Sequence, residues 1–279
     1  MADPSKIQTP AQAAAESQPA DATASYWHPV LDSAALRDAP HAVQVLDQAL
    51  VLWRDAHGLP HAWADRCPHR GARLSLGRVC AGQLECPYHG WRFADTGRCV
   101  QVPALSDFVP PAGHSAQVFA VQEAYGLLWV RLREGVHTLP LFDAENDAGL
   151  RKLNCGPYEV ATSAPRIVEN FLDMAHFSFV HAGWLGERGR SAIENYDVHA
   201  TATGLLATNC RAWQPQSNLH STQGAMVEYR YEVSAFCRCV DQGAAAGDDG
   251  AGGLARVDWA IYLPADGAEQ PGLVTSGRG

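Results

Sequence analysis

The sequence predicts an α+β protein in two parts: an all-β first half, then a half in which one helix precedes an antiparallel sheet. Three observations predict it. Residues 26 to 132 are short apolar runs broken by turn residues. Residues 165 to 181 carry the clearest helical pattern in the chain. Strand-length runs then follow as far as residue 263.

The 279 residues suit one large domain or two ordinary ones, and 47% hydrophobic with 18% charged residues is a globular composition. Residues 1–25 are rich in Ala, Gln, Pro, Ser and Asp and read as a disordered tail. They lack the basic start and apolar middle of a signal peptide. A formal net charge of −9 offers no basic footprint, so no nucleic-acid partner is expected. No apolar run approaches the ~18–20 residues that cross a bilayer. The chain is therefore read as cytoplasmic, with no membrane partner.

Order is expected from Tyr26-Trp27-His28-Pro29. Val43–Leu46 and Leu50–Trp53 read as strands, Asp55 to Gly58 as a hairpin turn, and His61–Ala64 as the return strand. A second hairpin is expected from Trp91–Phe93, the Asp95-Thr96-Gly97 turn and Cys99–Val102, and another strand over Tyr125–Leu132. The irregular stretch 133–154 contains the domain boundary, which divides the chain into 26–135 and 136–279. From Pro165 to His181 the spacing predicts one helix: Pro165 suits its first turn, Ile167, Phe171 and Met174 make its apolar face, and Gly183 stops it. Strands are expected at Ile193–Ala200, Leu205–Trp213, Met226–Phe236 and Leu254–Leu263, with a flexible loop at Gln242–Gly253.

In a cytoplasmic chain of this size, eight cysteines are thiols or metal ligands before they are disulfides. Two stand in a meaningful spacing: Cys67-Pro68-His69, then, after residues 70 to 85, Cys86-Pro87-Tyr88-His89. Each loop offers one thiolate and one imidazole. Two His in place of two Cys on one iron define a Rieske-type [2Fe–2S] centre, and neutral imidazoles raise its reduction potential. A structural zinc ion is the competing reading, but zinc sites usually pair like ligands at Cys-x₂₋₄-Cys and His-x₃₋₅-His spacing. Cys80, Cys99, Cys155 and Cys210 read as buried small hydrophobes, and Cys237-Arg238-Cys239 as structural.

A second box lies in the predicted helix. Asn170, Asp173 and His176 recur every three residues among apolar neighbours, and His181 follows. Five residues put His176 and His181 about 140° apart on a regular helix. They reach one metal only if the helix ends or distorts between them. Two His and one carboxylate with open positions opposite make a non-haem Fe(II) oxygenase site. A His pair on a helix is more commonly core or surface, and core packing accounts equally well for Phe171, Phe177, Phe179 and Trp184 as a pocket lining.

The Cys-x-His and Cys-x-x-His boxes, followed by Asn-x-x-Asp-x-x-His-x₄-His, resemble the α subunits of Rieske non-haem iron oxygenases. Their look is closest to the methylxanthine N-demethylase and vanillate O-demethylase type. The resemblance covers Tyr26 to about Asp197. It implies a helix-grip (START-like) catalytic domain with an antiparallel sheet after the Rieske domain. It implies a [2Fe–2S] cluster on Cys67, His69, Cys86 and His89, and a mononuclear Fe(II) on His176 and His181. Electrons from NAD(P)H would arrive through a ferredoxin or flavin reductase. O₂ would be activated to hydroxylate, or N- or O-demethylate, an aromatic or heterocyclic substrate. It further implies a head-to-tail homotrimer in which Asp173 bridges one subunit's cluster to the next subunit's iron.

The family's third iron ligand is an Asp on a helix after the last strands. No helix candidate follows Leu263; Asp258 lies in a strand-like run and Asp266 in a turn. The carboxylate is left unassigned, and the stretch from Pro271 reads as an unfinished strand or loop, as of an incomplete chain. The alternatives are a truncated or cluster-only Rieske electron-transfer protein, and a Rieske carrier with an appended binding domain. The second box argues against a carrier, which needs no second iron site.

Overall fold

The computed structural model describes residues 23–148, 151–158, 162, 164–202, 204–216, 224–234, 238–245, 256–262 and 272–278. The first half holds β1 (His28–Asp32), β2 (His41–Val45), β3 (Gln48–Arg54), β4 (Pro60–Ala64), β5 (Arg78–Cys80), β6 (Gln83–Glu85), β7 (Arg92–Phe93), β8 (Cys99–Gln101), β9 (Val118–Ala124) and β10 (Leu127–Arg131). Six of these form an antiparallel sheet in the order β1-β10-β9-β4-β3-β2, and the other four a smaller sheet, β5-β6-β7-β8.

Strand β3 shows how the sequence builds two cores at once. Its run Leu50-Val51-Leu52-Trp53 is fully buried. Side chains alternate across a sheet, so Leu50 and Leu52 join Leu36, Val45, Leu128 and Val130 on one face. Val51 and Trp53 enter the other face, with Trp63, Leu84, Phe93, Cys67 and Cys86. The cysteine loops are thus part of the core that joins the two sheets.

The turn between β2 and β3 is Leu46-Asp47, both at positive φ (48° and 61°), with Val45 paired to Gln48. This is a two-residue turn whose twist suits a hairpin, made without the usual Gly or Asn. Ala24, placed in the tail by the sequence, is buried, and its carbonyl accepts from the amides of Leu132 and Arg133. Past β10 the chain stays on the first half: Phe142 is buried with Trp27, Leu127 and Trp129, and Tyr125 Oη donates to the Pro140 carbonyl at 2.7 Å.

The second half holds β11 (Arg151–Tyr158), α1 (Ala164–Leu172), α2 (Phe177–Val180), β12 (Asp197–Ala200), β13 (Gly204–Gln214), β14 (Ala225–Ser234), β15 (Arg238–Ala245), β16 (Arg256–Tyr262) and β17 (Gly272–Arg278). Its strands form one antiparallel sheet, β11-β17-β16-β15-β14-β13-β12. Buried Cys210, Ala212, Val227, Tyr229 and Tyr231 present one face of β13 and β14 to Met174 and Phe177, with Phe171 packed alongside.

Several expectations change here. The single helix over 165–181 is two helices, broken at residues 173–176. Asp173 causes the break locally: its Oδ1 accepts from the Ala175 amide at 2.8 Å, offering the backbone a turn in place of the helical bond. The strand expected at Ile193–Ala200 begins at Asp197. Residues 242–245, expected in a loop, belong to β15 and pair with β14 and β16. The stretch from Pro271, read as a strand or loop, contains the strand β17, which lies between β11 and β16. Pairing on both sides outweighs its weak intrinsic pattern. The expected turn holding Asp266 lies outside the described residues. No helix among the described residues is long and apolar enough to cross a membrane.

Candidate metal centres

The two cysteine loops share one backbone plan. In the first, the Gly71 amide donates to the Cys67 carbonyl at 2.9 Å and the Cys67 amide donates to the Ala72 carbonyl at 2.8 Å. In the second, the Gly90 amide donates to the Cys86 carbonyl at 3.1 Å and the Cys86 amide to the Trp91 carbonyl at 2.9 Å. Each loop thus closes from the Cys to the fourth and fifth residues after it. The fourth residue sits at φ +72° in one loop and +68° in the other, which is why both are glycine. Pro68 and Pro87 stiffen the same loops.

This plan buries the sulfurs and leaves the imidazoles outside. Cys67 and Cys86 are each 2% exposed and not joined in a disulfide, while His69 and His89 are exposed. The two rings stand 4.6 Å apart between centroids, tilted by 60°. Burial pushes the Cys67 thiol up to about 12, and the facing Cys86 thiol adds to the rise. Desolvation, then the charges of His89, Arg70 and His114, hold His69 below its ordinary range. A neutral imidazole is the form that ligates, and a buried thiol ionises only when a cation compensates it.

The donor set therefore fits an iron–sulfur group. Among the described residues, no three His, Cys, Asp or Glu side chains gather as one metal ion requires.

Carboxylates hold the loops from behind. Asp65 is buried and accepts from Arg73 Nε at 2.8 Å, from the Ser75 amide at 2.7 Å and from Ser75 Oγ at 2.7 Å. Glu85, next to Cys86, accepts from Arg78 Nε and Arg92 Nε, each at 2.8 Å. The Arg92 bond, with Arg78 assisting, holds Glu85 below the usual carboxylate range despite some burial. Sequence reading missed both supports, although the acidic residue shortly before each Cys was a signal.

The second constellation lies at the helix break. His176 opens α2 and His181, outside helical φ and ψ, closes it, and their rings stand 5.1 Å apart between centroids at 61°. His176 Nδ1 and Asp173 Oδ2 are 3.3 Å apart. With the carboxylate ionised, Nδ1 carries the proton and Nε2 keeps its lone pair for a metal. Asn170 lies exposed on α1, whereas Asp173 and His176 lie in the break beyond its end, so the predicted line of the three along one helix does not form. No third carboxylate completes a metal-binding group with the two His among the described residues. Asp258 lies inside β16.

The aromatic residues expected as a pocket lining divide. Phe171 and Phe177 pack edge-on against Tyr231 and at a tilt against Tyr229, in the core. Phe179 and Trp184 are 52% and 61% exposed, and Arg188 lies over Phe179. An apolar cavity of about 110 Å³ instead opens beside the break, lined by Leu172, Met174, Tyr196, Cys210, Tyr231 and Val233 among others.

Comparison with known proteins bears on both regions. Residues 26–122 match the Rieske [2Fe-2S] domain, and residues 160–266 match the vanillate O-demethylase oxygenase C-terminal domain. Methylxanthine N1-demethylase NdmA of Pseudomonas putida is 39% identical over 168 residues, covering 57% of this chain and 48% of that protein. Aminopyrrolnitrin oxygenase PrnD of Pseudomonas fluorescens is 34% identical, covering 57% and 46%. The chain thus spans about half the length of these curated relatives. The structure of P. putida CBB5 NdmA with caffeine superposes with a TM-score of 0.74 at 26% identity, over 92% of this chain and 75% of that one. Dicamba monooxygenase, 22% identical, shares the fold with a TM-score of 0.77 over 92% and 78%.

Proposed function

The chain belongs to the Rieske oxygenase family, and on that premise we propose that it is the oxygenase component of a Rieske non-haem iron monooxygenase or dioxygenase. It would hydroxylate, or N- or O-demethylate, an aromatic or heterocyclic substrate with O₂. The observation that carries this reading is that His176 and His181, at the two ends of α2, stand with their rings 5.1 Å apart. A cluster-only carrier has no use for that pair.

On this reading Cys67, His69, Cys86 and His89 hold the [2Fe–2S] cluster, and His176 and His181 hold a mononuclear iron with a carboxylate that is not assigned. The cluster supplies one-electron transfer, and the mononuclear iron supplies O₂ activation. The chain's own contribution is positional. Asp173 fixes the His176 tautomer, and an apolar cavity lies beside the break. The two domains are 26–135 and 136–279, with 137–142 packed back on the first.

Three further parts of the proposal come from the resemblance and from the relatives. A separate reductase delivers NAD(P)H electrons; Oxidoreductase NdmD of P. putida, 41% identical over 109 residues, is among the relatives. The assembly is a head-to-tail homotrimer. Asp173 is then the inter-subunit bridge between cluster and iron.

Iron content tests the reading. Reconstituted protein is expected to hold about three irons per chain, two in the cluster and one mononuclear. His176→Ala is expected to lose one of them and keep the cluster's absorption. Two irons per chain, unchanged in His176→Ala, would overturn the proposal in favour of the cluster-only carrier.

A further inference from the structure

The two imidazoles of the cluster loops are not equivalent. His69 lies face to face with the Trp91 indole, centroids 4.4 Å apart and planes within 4°. Against Trp91 also stacks His114, at 5.3 Å and 17°. Phe108 meets His114 edge-on at 5.9 Å and 61°. His89 has only tilted neighbours among the described residues: Tyr88 at 36° and His69 at 60°. Tyr88 is itself 63% exposed.

The stack is anchored away from His69. Trp91 is 8% exposed, and its carbonyl accepts from the Cys86 amide, so it belongs to the second cluster loop. His114 ends a short turn in which its amide donates to the Pro111 carbonyl at 3.0 Å, and the buried Ala116 that follows donates to the Gly97 carbonyl at 2.8 Å. The column therefore ties together three segments of chain that are separate in sequence. An exposed imidazole would otherwise turn about its side-chain bonds.

We infer that Trp91 and His114 are positioning residues for the cluster, a ring stack that fixes the plane of His69 and keeps water from one side of it. This rests on the reading of His69 as a cluster ligand. Ligand orientation, burial and solvent access are among the levers a protein has on the potential of such a centre. Opening the stack admits water, which favours the more negative, reduced form. The potential should therefore rise.

The test uses reconstituted protein carrying His114→Ala, His114→Phe or Trp91→Leu. Iron content is measured first, then the redox midpoint and the electron paramagnetic resonance spectrum of the reduced cluster. All three variants are expected to keep two cluster irons. His114→Ala should raise the reduced-to-oxidised ratio at a fixed ambient potential about threefold, about 28 mV for a one-electron couple, and broaden the spectrum as His69 takes several orientations. His114→Phe keeps a stacking ring and should match the unaltered protein. Trp91→Leu should shift further than His114→Ala. Cluster loss in His114→Ala but not in His114→Phe would equally support the stack. Unshifted midpoints and sharp spectra throughout would overturn the inference, as would a His114→Phe shift equal to that of His114→Ala. A parent protein that binds no cluster would overturn the ligand reading instead.

Discussion

The two candidate metal centres are built in opposite ways. Around Cys67 and Cys86 the backbone does the shaping: two loops with matching hydrogen bonds, two glycines at positive φ, and sulfurs sunk in a core shared by two sheets. Around His176 and His181 there is an interruption, a helix stopped by one Asp and restarted for four residues. Asp173 is half exposed and His181 is exposed. The first arrangement is held by backbone hydrogen bonds and core packing. The second holds one His through a side-chain hydrogen bond and leaves the other at a helix end. An electron carrier gains from a fixed geometry, whereas a site that must admit substrate and O₂ needs open positions.

The largest effect should come from the cluster loops. Cys86→Ser is expected to abolish the cluster, so that its absorption is lost and at most one iron per chain remains. Because Cys86 also belongs to the core, the melting temperature should fall with it. A variant that kept its cluster absorption would break the assignment of that loop.

The contrast in burial gives the next prediction. Phe93 is fully buried in the core behind the cluster loops, and Phe93→Ala should cost about 3–5 kcal/mol in denaturant unfolding. Phe179, more than half exposed on α2, should change stability by no more than about 0.5 kcal/mol when truncated. Equal costs would mean that α2 is packed as tightly as the first domain.

What the sequence made readable follows the same division. Ligand spacing is local, so both boxes could be found without a fold, and strands β3, β4 and β10 announced themselves by apolar runs. The hairpin at Leu46-Asp47 was hidden because Leu46 is not a turn former and no Gly accompanies Asp47. The break at Asp173 was hidden because its cause is a side chain competing for the backbone, not a Gly or Pro. β17 was hidden because its stability lies in two neighbouring strands. The stack of His69, Trp91 and His114 joins residues brought together only by folding.

Asp173→Asn probes the interruption itself. The amide keeps the size of the carboxylate but no longer holds the proton on His176 Nδ1. Affinity for the mononuclear iron is expected to fall about 10–100-fold, with the cluster unchanged. Titration with Fe(II) under anaerobic conditions reads the first, and the visible spectrum of the cluster the second. A fall in cluster content instead would show that the two centres are structurally coupled within the chain.

A modest effect should come from Glu85, and its sign can be derived. Arg92 and Arg78 hold its carboxyl below the ordinary glutamate value of 4.5 in the folded protein. A depressed carboxylate adds stability that is fully present above the unfolded-state value and is lost as pH falls through the folded one. The β5-β6-β7 hairpins should therefore weaken in acid, starting near the ordinary glutamate range. Glu85→Gln removes both ion pairs and should cost about 1 kcal/mol at neutral pH, the upper end for such pairs where one partner is well exposed. It should also flatten the loss of stability below about pH 5. Thermal unfolding from pH 7 to pH 3 compares the two proteins. Parallel curves would mean that the arginines are held by water rather than by Glu85, and that the cluster loops need no charge behind them.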